Sequence, residues 1–116
     1  MLICVDTQIS NKDETDIEDA VELLKMIADR TRLKVVRELL HSEHSVNELA
    51  DHLEVKPAAL SQHLAKLRLA RLVSIRREGT RVFYRISDPH IEKIVDSVMA
   101  HVGESQIDVA SLEITQ

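Results

Sequence analysis

Apolar residues recur with helical spacing in five stretches of this chain and with strand-like alternation in one. Residues 1–15 are polar and acidic, show no period, and read as a mobile N-terminal arm. After Thr15 or Asp16 a first helix is expected, with acidic side chains in its opening turn, where the helix dipole favours them. Ile17, Ala20, Val21, Leu24, Ile27 and Ala28 form its stripe. A second helix follows from Thr31, with Leu33, Val36, Leu39 and Leu40 inward, and gives way to a loop at His41 to His44.

The middle of the chain has the sharpest local signals. Ser45 opens a short helix, with Glu48 three residues on in the reciprocal arrangement of a capping box. Leu49 and Leu53 are its buried stripe, and Glu54, Val55 and Lys56 form a turn. Pro57 suits the first position of the next helix, where its missing N–H is not needed. Leu60, Leu64 and Leu67 then face inward, leaving Ser61, Gln62, His63, Lys66 and Arg68 on other faces, with Lys56 just before them. Such a helix offers amide, hydroxyl and cationic donors to base edges and phosphates. Alone, it is equally an ordinary helical hairpin with a solvated charged face.

The next stretch separates those readings. Leu72 to Ile86 holds two β-branched and aromatic runs around Glu78-Gly79, a pair suited to a tight hairpin turn. Arg76, Arg77 and Arg81 cluster at its tip. A helix-turn-helix followed at once by a basic hairpin is a winged helix, whose wing reaches phosphates beside the groove the helix enters. The expected fold is therefore mainly α with a small β-hairpin: about five helices plus a two-stranded wing.

Composition first opposes a nucleic-acid partner and then supports one. The net charge is −5, but its distribution is uneven. Residues 1–30 carry three basic and eight acidic side chains, residues 88–116 one and six, and residues 31–87 eleven and six. Between Lys56 and Arg85, eight basic residues face Glu78 alone. Phosphates respond to this local field, not to the sum. The 116 residues suit one domain, near the size where oligomerisation adds useful burial. Double-stranded DNA and a second copy are the expected partners. No apolar run is long enough for a bilayer, and MLICVDTQIS lacks the pattern of a signal peptide, so no membrane partner and a cytoplasmic location are expected. Cys4 is the single cysteine and cannot form an internal disulfide. His41, His44 and His52 read as surface residues with no acidic or thiol partner at ligand spacing.

The last helix, in SDPHIEKIVDSVMAHVGE, carries a second constellation. Ile91, Ile94, Val95, Val98, Met99 and Val102 make a stripe wide for so short a domain, part of which is expected to meet another subunit. The polar pattern is Asp88, His90, His101 and Glu104. His90 and His101 lie nearly on one face but about 16 Å apart along the axis, whereas ligands sharing one zinc come within about 4 Å of each other. Two such helices packed antiparallel about a two-fold axis would set Asp88 and His90 of one chain opposite His101 and Glu104 of the other, giving two equivalent sites. Two imidazoles and two carboxylates suit zinc, with cobalt or nickel able to compete. Asp88-Pro89 is also a good helix start in its own right, and Gly103 is expected to end the helix before Glu104. Residues 16–104 then form the DNA-binding and dimerisation domain, and 105–116 read as a mobile tail.

With SVNELADHL, SQHLAKLRLARLV and RREGTRVFYRI in this order, the chain resembles the ArsR/SmtB family of winged-helix metalloregulators over roughly residues 17–104. SQHLAKLR and RREGT look most like its nickel- and cobalt-sensing branch, whereas the final-helix pattern is similar to an interhelical zinc site. Another common site of the family uses cysteines where Ser45, Asn47 and Ala50 stand here, which argues against a soft-metal site at that helix. The resemblance implies a homodimer joined through its first and last helices. Its apo form binds operator DNA, and divalent metal weakens that binding, derepressing efflux or storage genes. The alternatives are a winged-helix regulator that does not sense metal and a protein-interaction module using the acidic ends. An enzyme is not expected, since no nucleophile and base pair and no phosphate-cradling glycine loop is found.

Overall fold

The computed structural model describes residues 2–105, with side chains over 12–103. In chain order it forms α1 (Leu2–Ile27), α2 (Arg30–His41), α3 (Val46–Leu53), α4 (Pro57–Leu69), β1 (Val73–Glu78), β2 (Arg81–Ile86) and α5 (Pro89–Ser105). These five helices and one antiparallel hairpin are the expected winged helix.

Helix α1 begins at Leu2, well before the start expected after Thr15. No proline or glycine interrupts residues 2–27, so nothing local stops the helix from extending backward past its amphipathic part. The stripe read for α1 is mostly uncovered within one chain: Ile27 is buried, whereas Ile17, Val21 and Leu24 are exposed. Asp29 caps α2 by accepting the backbone N–H of Arg32 at 2.9 Å. The inward face of α2 centres on Val35, Val36 and Leu39, with Leu33 and Leu40 only partly covered.

The Ser45 capping box forms as expected. The Ser45 hydroxyl accepts the N–H of Glu48 at 3.2 Å, and the Glu48 carboxylate accepts the N–H of Ser45 at 2.9 Å. Glu54 ends α3 in the left-handed region (φ 56°, ψ 45°), and Val55 N–H returns to the Ala50 carbonyl at 3.1 Å. Arg71 does the same after α4 (φ 62°): Leu72 N–H bonds the Leu67 carbonyl at 3.0 Å, and Arg71 N–H that of Arg68 at 2.9 Å. This is a Schellman closure with arginine where glycine is usual. It turns the chain from α4 directly into the wing.

The wing pairs Val73 with Ile86 through to Glu78 with Arg81, leaving Gly79-Thr80 as a two-residue loop. Gly79 takes φ 64° and Thr80 does not share the positive value, the pattern of a type II′ turn. The loop before α3 docks on this hairpin, because His44 and Tyr84 exchange two backbone hydrogen bonds, at 3.1 and 2.8 Å. Leu49, Leu60, Leu64, Leu67, Leu72 and Ile91 are fully buried in the core that these elements share. Helix α5 contributes Ile91 and Val95 and leaves Val98 and Val102 open. It continues through Gly103 to Ser105 rather than ending before Glu104. Of the tail read over 105–116, only the backbone of Ser105 falls among the described residues. No described helix is long and apolar enough to cross a membrane.

Candidate nucleic-acid interface and metal centre

Helix α4 buries Leu60, Leu64 and Leu67, and this rotation sets the direction of every other side chain on it. Ser61, Gln62, Lys66 and Arg68 are exposed, as is Lys56 at the N-cap. Gln62, Lys66 and Leu69 follow one another at i, i+4 and i+7, so they form a single outward stripe. Leu69 is 85% exposed and, with Lys66, lines a groove against Leu23 and Met26 of α1.

His63 departs from this group. It is half-buried, with Nδ1 at 3.2 Å from the Arg32 guanidinium and 3.9 Å from Asp29. Arg32 also donates to the Met26 carbonyl at 2.6 Å, joining the end of α1, the start of α2 and the side of α4. His63 therefore faces the inner scaffold of α4, away from the Gln62 stripe. The Asp29 carboxyl titrates below its ordinary value, first because it accepts the Arg32 N–H, with burial opposing and the charges of Arg32 and His63 assisting.

The three wing arginines also divide. Arg76 is held by Glu43, with Nη2 to Oε1 at 2.6 Å, and by Glu78 at 2.9 Å, and it lies 4.8 Å from the Phe83 ring centre. The hydrogen bonds it donates to Glu43 and then to Glu78 push its pKa up, and the bond from Arg76 lowers that of Glu43. Arg81 also lies over the Phe83 ring, 4.9 Å from its centre. Arg77 and Arg81 are exposed and have no ion pair among the described residues. Strand alternation puts Arg85 on the face of Arg81 and Phe83, also exposed. That alternation could have added Arg85 to the candidates.

Just before α5, the Asp88 carboxylate accepts the backbone N–H of His90 at 2.9 Å and lies 3.0 Å from His90 Nδ1. Its pKa is lowered, first by the backbone bond and then by the imidazole. His90 and His101 are exposed. The backbone of Glu104 lies in the same helix, three residues after His101, while its side chain is outside the described residues. A single chain thus brings Asp88 to His90 but leaves His101 about 16 Å along the helix.

A cluster that sequence reasoning missed lies elsewhere. Among the described residues, Glu38, His44 and His52 each offer a ligand atom within 4.8 Å of the others. His44, expected at the surface, is buried, and Glu38 is the acidic neighbour that spacing did not reveal. The contact joins the ends of α2 and α3 across a loop, so no fixed sequence interval announces it.

A buried three-helix scaffold presenting a polar, cationic helix beside an arginine-bearing hairpin defines a winged helix-turn-helix domain. Residues 29–74 match the bacterial regulatory protein, arsR family. The chain is 49% identical over 75 residues to the HTH-type transcriptional regulator KmtR of Mycobacterium tuberculosis, covering 65% of this chain and 58% of that protein. It is 40% identical over 91 residues to the HTH-type transcriptional repressor SmtB of the same organism, covering 78% and 67%. Thus the chain spans less than two thirds of the length of KmtR. Among solved structures, reduced HlyU from Vibrio cholerae superposes with a TM-score of 0.69 at 40% identity, over 78% of this chain and 93% of that one. A homodimeric winged helix-turn-helix DNA-binding domain from Mycobacterium bovis gives 0.76 at 25% identity, over 82% and 88%. The chain belongs to the ArsR family of bacterial regulatory proteins.

Proposed function

We propose that this chain is a homodimeric transcriptional repressor that binds double-stranded operator DNA and releases it on taking up a divalent metal. The observation that carries the DNA half is the outward stripe of α4 beside exposed Arg77 and Arg81 of the wing. Gln62, Ser61 and Lys66 read base edges, while Lys56, Arg68, Arg77 and Arg81 meet phosphates. His63 and Arg76 serve the interface indirectly, by holding α4 and the wing in place. The repressor sense is supported by likeness to SmtB, whose name says repressor; HlyU is named a transcriptional activator. Dimerisation is supported by the open apolar positions of α1 and α5 and by the homodimeric Mycobacterium bovis relative. Residues 16–104 are the DNA-binding and dimerisation unit in this reading.

The effector is zinc, with cobalt or nickel as competitors, held by Asp88 and His90 of one chain with His101 and Glu104 of a second copy. The donor set fits: two imidazoles and two carboxylates, with one pair already 3.0 Å apart. When bound, the metal ties two final helices together and biases the spacing of the two α4 helices, which must sit about 34 Å apart to enter successive major grooves. The coupling is reciprocal, so DNA weakens metal binding by the same factor. The test is a titration of zinc, cobalt and nickel into the dimer with DNA binding read in parallel. His101→Ala is expected to weaken metal binding and to abolish metal-driven DNA release. Unchanged affinity and unchanged release would overturn the sensor half.

A second reading keeps the DNA binding without the metal. It is favoured by the Asp88 carboxylate, which already caps α5 by accepting the His90 N–H. DNA affinity indifferent to all three metals, yet lost in Gln62→Ala with Lys66→Ala, would select it.

A further inference from the structure

We propose that Glu38, His44 and His52 form a separate metal site, complete within one chain, that takes a divalent transition ion of the zinc class. It shares no residue with the final-helix site and does not depend on that site being real.

The argument starts from distances. Glu38 Oε2 lies 3.7 Å from His44 Nε2 and 3.6 Å from His52 Nδ1. These are ion-pair separations when the imidazoles are protonated, longer than hydrogen bonds. They are close to the separation of about 3.4 Å that bonds of about 2.0–2.1 Å impose on two ligands of a tetrahedral zinc. Glu38 needs shifts of only a few tenths of an ångström, while the two imidazole nitrogens, within 4.8 Å of each other, are brought together by small turns of the rings. The two imidazole rings meet edge to face, 5.1 Å between centres, with the carboxylate reaching both.

Burial makes the arrangement graded. His44 is nine-tenths buried, and its Nδ1 has no hydrogen-bond partner. Its Nε2, turned toward Glu38, has the Ser42 hydroxyl at 3.2 Å as its other neighbour. Glu38 is half-buried and His52 is exposed, at the edge of an open cleft of about 380 Å³. An ion entering from that cleft would have three protein ligands and a solvent-facing fourth position, the count of an open zinc site. Lys34 and Arg37 also line the cleft and oppose a cation. They make this a weaker site than two carboxylates and two imidazoles would give.

Placement sets the consequence. Glu38 is near the end of α2, His52 is near the end of α3, and the backbone of His44 is fastened to Tyr84 of β2. An ion there locks the first helix of the helix-turn-helix to the wing inside each chain, whereas the final-helix site acts between chains.

The test uses the full chain carrying His90→Ala and His101→Ala, two exposed positions whose loss removes the final-helix ligands. Cobalt titration is expected to show one ion per chain with visible absorption, displaced by zinc. Adding His52→Ala or Glu38→Gln, chosen because buried His44 is a folding risk, is expected to weaken cobalt at least about tenfold and to change its spectrum. Circular dichroism without metal checks that each variant is folded. The proposal is overturned if the doubly substituted chain binds neither cobalt nor zinc, or if its remaining ion is indifferent to both added substitutions.

Discussion

The helix-turn-helix with its wing and the two terminal helices are completed on different terms. In the middle, Leu49, Leu60, Leu64 and Leu67 have no exposed surface, and the capping box of α3 and the turns after α3 and α4 close on residues of the same chain. At the ends, Ile17, Leu24 and Val98 remain about half exposed, and every described side chain of α1 from Lys12 to Glu22 is exposed. On the proposed reading, the DNA-facing surface is finished in one chain, while the dimer surface and the Asp88, His90, His101 and Glu104 set would require a second. A regulator divided in this way can keep its reading head rigid and place its control at the joint between copies.

The largest effect is therefore expected from the ends, although they carry no base-reading residue. Leu24→Asp with Val98→Asp puts charges on the exposed apolar surface proposed to meet a second copy, and the chain is expected to sediment as a folded monomer. Half of the phosphate contacts go with the lost partner, so DNA affinity is expected to fall by about a hundredfold or more at physiological salt. A dimer that survives both substitutions would break the contrast between the two regions.

Next comes the reading head. Gln62→Ala with Lys66→Ala is expected to weaken DNA binding by roughly ten- to a hundredfold, with a melting curve close to the parent's, since both positions are exposed. The wing sharpens this further. Arg81→Ala should lower the slope of log affinity against log salt by about one. Arg76→Ala should change it less, because Glu43 and Glu78 already meet that charge. Equal slopes for the two variants would show that the ion pairs open on DNA.

Much of the middle was legible because its determinants are local. Ser45 with Glu48, Pro57 at the first turn of α4, and Gly79 in the wing each act within four residues, and each appears where expected. What escaped was non-local. Arg76 is neutralised by Glu43, 33 positions earlier, and His63 is drawn to Arg32, 31 positions earlier. Glu38, His44 and His52 meet only because a loop crosses to β2. The start of α1 was misplaced because amphipathic period marks where a helix packs, not where it begins.

A smaller effect is expected from the joint between the two regions. Asp29 caps α2 and lies near His63, so Asp29→Ala is expected to cost about 1 kcal/mol in denaturant unfolding. Its carboxyl titrates lower in the folded chain than in the unfolded one. Its stabilisation is therefore complete above the ordinary aspartate value and is lost as pH falls through the depressed folded one. The Asp29→Ala chain should show a shallower acid limb than the parent; parallel limbs would remove the cap from the account.

The smallest effect tests the turn itself. Glu54 holds φ 56° at the end of α3, a region that costs a side-chain-bearing residue about 1–2 kcal/mol and glycine almost nothing. Glycine gives back about 0.5–1 kcal/mol through the greater freedom of its unfolded chain. Glu54→Gly is therefore expected to stabilise the domain by up to about 1 kcal/mol while leaving DNA affinity within twofold, since Lys56 and α4 keep their places. Stabilisation with a larger loss of affinity would mean that the strained turn also sets the angle at which α4 meets the groove. The middle of the molecule would then be tuned for its partner and not for its own stability.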